Sequence, residues 1–292
     1  MRADESPTAR RPRTDLQAFV WGTSWWPFRL LEGRGLHPLW ATVLIYTLSC
    51  AVIVAARPHA VVQLARTPAL WVLVLASGMT NAAFNWAVVI GDVVRVVLLF
   101  YLMPLWAVLL ARLLLGERLT LLAGARVLLA LAGAAIVMWP ADGGWPLPAS
   151  LAVWLGVIGG FSFALNNVML RRESRRSDES RALAMFAGGV LVAGALASAL
   201  ALSGHLAGLP AAEPLWLLGV TLMGSLFLVS NFALQYGAAR LTAGATAVIL
   251  ITEVLFAAVS ALALGGGTLT PPLLVGGTLI LAAALLSSAS KR

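Results

Sequence analysis

Long apolar runs separated by short polar or charged breaks dominate the chain. Because a helix needs about 20 mostly apolar residues to cross the hydrocarbon of a bilayer, each such run predicts a membrane span. The ten runs cover residues 16–31, 38–56, 69–90, 95–115, 121–139, 150–171, 183–203, 213–236, 240–264 and 271–289. The first run is short and interrupted, and the breaks at 90–95 and 236–240 are tight, so a count of nine spans is the alternative.

Composition supports a membrane protein. Hydrophobic residues make up 60% of the 292 residues and charged residues 11%, whereas soluble proteins average about 45–50% and about 25%. The net charge of +8 would suit nucleic acid, but the basic residues flank apolar runs instead of forming one patch. We therefore expect the lipid bilayer as a partner and no nucleic acid. The single cysteine, Cys50, excludes an intrachain disulfide and is interpreted as a small buried side chain.

The distribution of Arg and Lys predicts the orientation, because cytoplasmic loops carry an excess of these residues. If the N-terminus is cytoplasmic and the chain crosses ten times, all 20 basic residues except Arg29, Arg34 and Arg95 lie in inside segments. The opposite orientation inverts that ratio. We therefore expect a multi-pass protein with a cytoplasmic N-terminal tail, 1–15, and a cytoplasmic C-terminus, 290–292.

The two halves of the chain resemble each other. Asn85 and Gly91, six residues apart near the end of the third span, are matched by Asn231 and Gly237 in the eighth span. Two further pairs recur after the fourth and ninth spans, namely Leu119-Thr120 with Leu269-Thr270 and Gly116 with Gly266. The matches follow the same order along the chain, which indicates an internal repeat.

A five-helix unit that starts inside ends outside, so its copy must be inverted. The sequence therefore predicts an all-α integral membrane protein of ten transmembrane helices arranged as two inverted five-helix repeats. The first repeat covers 16–139, an extracytoplasmic linker covers 140–149, and the second repeat covers 150–289. Inverted repeats are typical of secondary transporters, whose substrate sites lie near the midplane. An old gene duplication without transport would leave the same pattern.

Several motifs occur in a characteristic order. They are Trp21-Gly22-Thr23-Ser24, Pro104, Leu115-Gly116-Glu117-Arg118-Leu119-Thr120 and Glu253. Together they resemble the EamA-type ten-helix branch of the drug/metabolite transporter superfamily, and the stretch 91–106 is similar to the bacterial aromatic amino acid exporters within it. The second half departs from the pattern at Gly267 and Val254, which stand where the first half has Glu117 and Pro104.

The resemblance implies a secondary transporter of the bacterial inner membrane that exports small organic solutes by alternating access. Aromatic and other neutral amino acids are the expected substrates, and a drug or another metabolite is the alternative, because one fold serves many substrates. A membrane enzyme or a non-transporting receptor would need catalytic clusters or an extramembrane domain, which the sequence lacks. We therefore expect no catalytic residue, no cofactor and no metal, and we take the monomer as the working assembly.

Polar side chains within the apolar runs predict the substrate site, because polar groups in hydrocarbon need a partner or a cavity. Asn81, Asn85, Asn166 and Asn231 either line a cavity that binds a zwitterionic amino acid or form hydrogen bonds between helices. Glu253 is the only acidic residue well inside a span. It either contacts a substrate ammonium group, couples transport to protons, or is a neutral structural carboxyl.

Aromatic residues deep in the spans complete the predicted site. Trp21 and Trp25 crowd the first span together with Ser24 of the motif, Tyr101 lies in the fourth, and Phe161 lies in the sixth. Stacking on an aromatic substrate contributes about 0.5–1.5 kcal/mol beyond burial. We therefore expect these residues to give a preference for aromatic solutes.

Glycine and proline inside the spans predict hinges or kinks. Gly22 and Pro27 in the first span correspond to Gly159 and Gly160 in the sixth. Paired interruptions in matching elements indicate a transporter site or hinge. Pro104 should kink the fourth span and leave a carbonyl without its helical partner.

Overall fold

The computed structural model describes residues 18–116, 120–140, 145–238 and 243–289. Side chains are described in these ranges except for 233–251 and 287–289. The predicted tails, 1–15 and 290–292, and Glu117 of the motif lie outside the described residues. Every regular element in the described part of the chain is a helix.

A helical stretch at 18–23 precedes twelve helices. These are α1 (Trp25–Glu32), α2 (Pro38–Ala56), α3 (His59–Arg66), α4 (Pro68–Ile90), α5 (Val93–Phe100), α6 (Met103–Leu115), α7 (Leu121–Met138), α8 (Leu151–Arg172), α9 (Asp178–Leu202), α10 (Pro214–Ala238), α11 (Ala243–Ala263) and α12 (Pro271–Ala289).

The predicted fold class is confirmed. Each of the ten apolar runs coincides with a helix or with a pair of consecutive helices. In the described part of the chain, seven helical segments are long and apolar enough to cross a membrane, one of which is the pair α5 and α6 taken together. Helices α11 and α12 contain two shorter apolar stretches, Thr252–Ala263 and Pro271–Leu286. Gly91 and Asp92 separate α4 from α5, so the tight break in the first half is a true junction between two helices.

The structure differs from the prediction in three places. The first span is interrupted at Ser24, between the stretch 18–23 and α1. The fourth span consists of α5 and α6, which are separated by Tyr101 and Leu102. The short helix α3 was not predicted, because eight residues between two spans are too few to give an apolar run of membrane length.

Two pairs of spans that occupy matching positions in the predicted repeats pack along each other. Helix α7, the fifth span, packs along α12, the tenth, and α2 packs along α9, which are the second and seventh. Such contacts are compatible with a pseudo-two-fold axis between inverted repeats, and the bounds of the repeats stay a prediction. The contact of α7 with α12 is itself reciprocal: a Cβ on Gly133 would lie 2.6 Å from the Gly276 carbonyl oxygen, and one on Gly276 would lie 2.5 Å from that of Gly133.

Candidate functional site

The break in the fourth span lies at a buried tyrosine. Tyr101 is the first residue after α5 and is 2% exposed. Pro104 is the second residue of α6, and it has no N–H to donate to the Phe100 carbonyl four residues earlier. The predicted kink therefore takes the form of a two-residue interruption at Tyr101 and Leu102. The Tyr101 side chain points into the bundle core.

Glu253 is the partner of this tyrosine. It is the eleventh of the 21 residues of α11, so it lies halfway along a predicted span. Its carboxyl group is hydrogen-bonded to the side chain of Tyr101. The fourth and ninth spans, which the sequence predicts to be repeat mates, therefore meet through the only acidic residue well inside a predicted span and one of the three tyrosines of the chain.

Two glycines hold neighbouring backbones close to this pair. A Cβ on Gly22 would lie 2.7 Å from the Glu253 carbonyl oxygen, and a Cβ on Gly160 would lie 2.5 Å from the carbonyl oxygen of Phe100. Real Cβ atoms do not approach other atoms so closely. The first span therefore crosses α11, and α8 crosses the end of α5, at positions where only glycine fits. Gly159 lies beside the second crossing, and a Cβ there would lie 3.2 Å from the Phe100 ring.

Trp25 joins the first span to the C-terminal half of α11. Its side chain is 2% exposed, and its indole Nε1 donates a hydrogen bond of 2.9 Å to the Ser260 hydroxyl. Ser24, also buried, donates to the carbonyl of Trp21 at 2.9 Å. Pro27, in the first turn of α1, is half-buried. This end of the predicted site is thus built from the first and ninth spans.

The amides of α4 form a second polar cluster with α2. The Tyr46 hydroxyl donates to Asn81 Oδ1 at 2.7 Å, and Asn85 Nδ2 donates to the Thr42 hydroxyl at 3.0 Å. Asn81 Nδ2 in turn donates to the Ser77 carbonyl at 2.8 Å. The bonds to Tyr46 and Thr42 join two helices, and the bond to Ser77 lies within α4. A substrate that binds the two amides must replace these bonds.

A row of aromatic rings joins the first span to the amide cluster. Trp21 stacks on Phe227 of α10, with ring centroids 5.0 Å apart, and Phe227 contacts Tyr46 at 5.9 Å. Asn231 follows Phe227 by one helical turn and is 5% exposed. The first, second and eighth spans therefore meet around Phe227.

The remaining two predicted residues lie elsewhere on α8. Phe161 is 39% exposed and contacts Trp106 edge to face at 5.5 Å, so the structure does not bring it to Tyr101 and Glu253. Phe163 instead faces inward and contacts Phe100 at 5.2 Å. Asn166 is 2% exposed, and its Oδ1 has no hydrogen-bond partner among the described residues.

The sequence analysis missed four residues of this region: Tyr46, Phe100, Phe227 and Ser260. Tyr46 carried a usable signal, because a phenolic hydroxyl well inside an apolar run needs a partner. Phe227 had one as well, since it lies four residues before Asn231 and so shares its helix face. Phe100 and Ser260 carried no signal, because both act through contacts with distant elements. Within the described ranges, no three His, Cys, Asp or Glu side chains come together as metal ligands.

Comparison with known proteins gives two findings. Residues 16–139 match the EamA-like transporter family, and this range coincides with the predicted first repeat. A solved structure, described only as the crystal structure of a protein, is similar to the chain with a TM-score of 0.57 and 21% sequence identity. The similarity covers 98% of this chain and 97% of that one, so the fold is shared over the full length. No significant match was found among curated proteins.

Proposed function

We propose that the chain is a secondary transporter of the bacterial inner membrane, because residues 16–139 match the EamA-like transporter family. It exports small organic solutes, chiefly aromatic and other neutral amino acids, by alternating access through a midplane site. The two repeats form the two sides of this site, and both termini are cytoplasmic.

The bond between Tyr101 and Glu253 is the observation that carries the proposal. A charged carboxyl group at mid-depth costs at least about 2.5 kcal/mol on insertion scales, so a chain retains one there for a reason. This carboxyl group is bonded to Tyr101 at the interruption of the fourth span, and discontinuous helices of transporters typically bind their substrates at such interruptions. An ammonium group or a proton is the natural ligand of a carboxyl group in this position.

Neighbouring aromatic rings supply the preference for aromatic solutes. Tyr101 is bonded to the carboxyl group, and Trp25 is bonded to Ser260 on the same helix as Glu253. Trp21 stacks on Phe227, which contacts Tyr46 beside the amides of α4. A substrate ring between them gains about 0.5–1.5 kcal/mol per well-placed pair beyond burial, which corresponds to a preference and not to strict selectivity.

A cationic drug is the second candidate, because the same carboxyl group and rings suit it. Aromatic faces attract organic cations by about 0.5–2 kcal/mol, and Glu253 supplies the countercharge. Such a substrate has no carboxylate, so it makes no demand on the amides of α4. Substrate class therefore separates the two candidates experimentally.

The test is transport by the purified chain in liposomes. Uptake of Phe, Trp, a neutral aliphatic amino acid and a cationic drug is measured with and without a pH gradient. Saturable uptake of Phe and Trp above empty liposomes supports the proposal. Uptake of the drug alone assigns the second candidate, and no uptake of any of the four solutes overturns both.

The variant Glu253→Gln tests the carboxyl group directly. Hydrogen bonds to charged groups contribute about 1.5–3 kcal/mol, so losing the charge should lower kcat/KM for amino acids at least about tenfold. Proton coupling predicts that the effect of the pH gradient is lost as well. The control is Glu213→Gln, because Glu213 is exposed and its partner Arg34 lies 2.7 Å away outside the site. If Glu253→Gln transports at wild-type rates with the wild-type pH dependence, the carboxyl group has a structural role only.

A further inference from the structure

Hydrogen bonds join distant segments of the chain at the end of the bundle where α1, α4 and α11 terminate and α5 begins. This is the end that the Arg and Lys distribution predicts to be extracytoplasmic. Three short segments meet there: the last turn of α1, residues 91–93, and residues 266–268 in the turn after α11. The first two belong to the first repeat and the third belongs to the second repeat.

Arg29 occupies the centre of this junction. Its Nε donates to the Val88 carbonyl at 3.0 Å, and its Nη2 donates to the carbonyls of Gly91 at 2.6 Å and Gly266 at 3.4 Å. These acceptors include carbonyls at the C-terminal end of α4, where the helix dipole favours a cation. The guanidinium carbon also lies 5.1 Å from the centre of the Trp25 ring, within cation–π distance.

Asp92 makes the main contact between the two repeats at this end. Its Oδ1 accepts the Arg95 N–H at 2.9 Å as the N-cap of α5. Its Oδ2 accepts the N–H of Thr268 at 2.8 Å and lies 3.3 Å from the Thr268 hydroxyl. The backbone adds one further bond, from the Val93 N–H to the Gly266 carbonyl at 3.0 Å.

The junction also covers one predicted site residue. A Cβ on Gly266 would lie 2.5 Å from Trp25 Cη2, so the turn after α11 presses directly on the indole ring. The indole Nε1 of the same side chain donates a hydrogen bond to Ser260. The turn after α11, Arg29 and Ser260 therefore all contact Trp25.

We propose that Arg29, Asp92, Gly266 and Thr268 form a latch that holds the two repeats closed at this end. Arg29 and Asp92 are positioning residues: they act on the substrate path through Trp25 and touch no substrate themselves. Losing either one shifts the chain toward the conformation that is open at this end. The inference rests on the proposed alternating-access function, which supplies the second conformation.

The test measures the distance between the two sides of the latch in the purified full-length chain. Spin labels are placed on exposed positions of the two repeats, with Glu32→Cys on the first and Leu269→Cys on the second, in a Cys50→Ala background. Pulsed dipolar spectroscopy then gives the ratio of short to long distances. Loss of one interhelical hydrogen bond of typical strength should raise the fraction of the long distance about threefold.

Two variants report on the two arms of the latch. Asp92→Asn retains an acceptor for the N-cap but has only one oxygen for two donors, so it loses the bond to Thr268. Arg29→Gln removes the fork that binds three carbonyls, and Arg29→Lys should restore only part of the effect because a single ammonium group lacks the planar geometry. Thr268→Val, which deletes one hydroxyl group, is the mild variant if either of the others fails to fold.

His205→Gln is the matched control. His205 is exposed at the same end, but its side chain is hydrogen-bonded to Ser203 of its own repeat, and no contact joins it to the latch residues. This control should give the wild-type distance distribution. A wild-type distribution in both Asp92→Asn and Arg29→Gln, or in Thr268→Val where those do not fold, overturns the latch.

The outcome for the latch is independent of the outcome for the substrate. A longer distance in the variants without uptake of any tested solute supports the latch and rejects the proposed function. Where the chain does transport, Arg29→Gln should change the maximal rate more than the KM for Phe, since it alters the conformational step and not the contacts of the bound solute. An altered KM with an unchanged maximal rate would place Arg29 in the substrate site and reject its role in the latch.

Discussion

Replacing Gly160 by alanine tests the tightest backbone crossing beside the site. The added Cβ would lie 2.5 Å from the Phe100 carbonyl oxygen, 3.1 Å from its carbonyl carbon and 3.2 Å from its Cα. All three atoms belong to the backbone, so no side-chain rotation relieves the overlap. Since ordinary contact begins at 3.4 Å, the closest pair must separate by about 0.9 Å. Overpacking of a tight core typically costs about 1–3 kcal/mol.

Gly160→Ala should therefore unfold at a lower temperature than the wild type in the same detergent, even though alanine is the better helix former by about 1 kcal/mol. Gly124→Ala is the control, because a Cβ on Gly124 has nothing within 4 Å and the substitution should be neutral or stabilising. Moving α8 away from Phe100 should also slow uptake, since the interruption at Tyr101 is part of the proposed site. An unfolding temperature and uptake equal to those of the wild type would refute the close crossing.

Three further predictions concern topology, the amide cluster and pH. A membrane-impermeant thiol reagent added outside intact cells should label His205→Cys and not Arg175→Cys, and the reverse result would invert the predicted orientation. Tyr46→Phe removes a hydroxyl group that bonds the next span, so the free energy of unfolding should fall by about 0.6 kcal/mol; no change would show that the bond adds nothing to stability. Burial lowers the pKa of His37, and its neutral ring caps α2 by accepting a backbone N–H. The stability that this cap contributes is therefore complete above a pH of about 6.5 and is lost as the pH falls through the lowered pKa. In thermal unfolding, His37→Asn should abolish this pH dependence.

The course of the helices could be predicted from the sequence because the bilayer imposes one dominant requirement. Every backbone polar group must be satisfied within the span, so an apolar run of sufficient length has no alternative to a helix. Local interruptions were harder. Pro104 predicted that the fourth span bends, but it did not predict an interruption at Tyr101 and Leu102, with Pro104 in the first turn of the next helix. Helix α3 was not predicted, because only Ala60 and Leu64 of its eight residues are buried and two positions do not define a helical pattern.

The residues of the site could be chosen from the sequence more readily than their partners. Glu253 was chosen for the cost of a carboxyl group in hydrocarbon and Tyr101 for its depth, on unrelated grounds, and the structure places them in one hydrogen bond. Nothing in the sequence joins them, since they lie in different repeats. For Asn81 and Asn85 the sequence left two roles open, and their bonds to α2 show which protein groups a substrate would have to replace.

The two glycine crossings have a consequence for how the site opens. Gly22 lies against the backbone at Glu253, and Gly160 lies against the backbone at Phe100, one residue before Tyr101. The first span therefore contacts α11 at Glu253, and the sixth span contacts the fourth span next to Tyr101. The first and sixth spans are predicted repeat mates, so each crossing joins one repeat to the other. In the proposed alternating access, a rotation of one repeat relative to the other would move helices past each other at both crossings. Such a rotation would also change the separation of Tyr101 and Glu253, so the proposed conformational change and the proposed substrate binding involve the same two side chains.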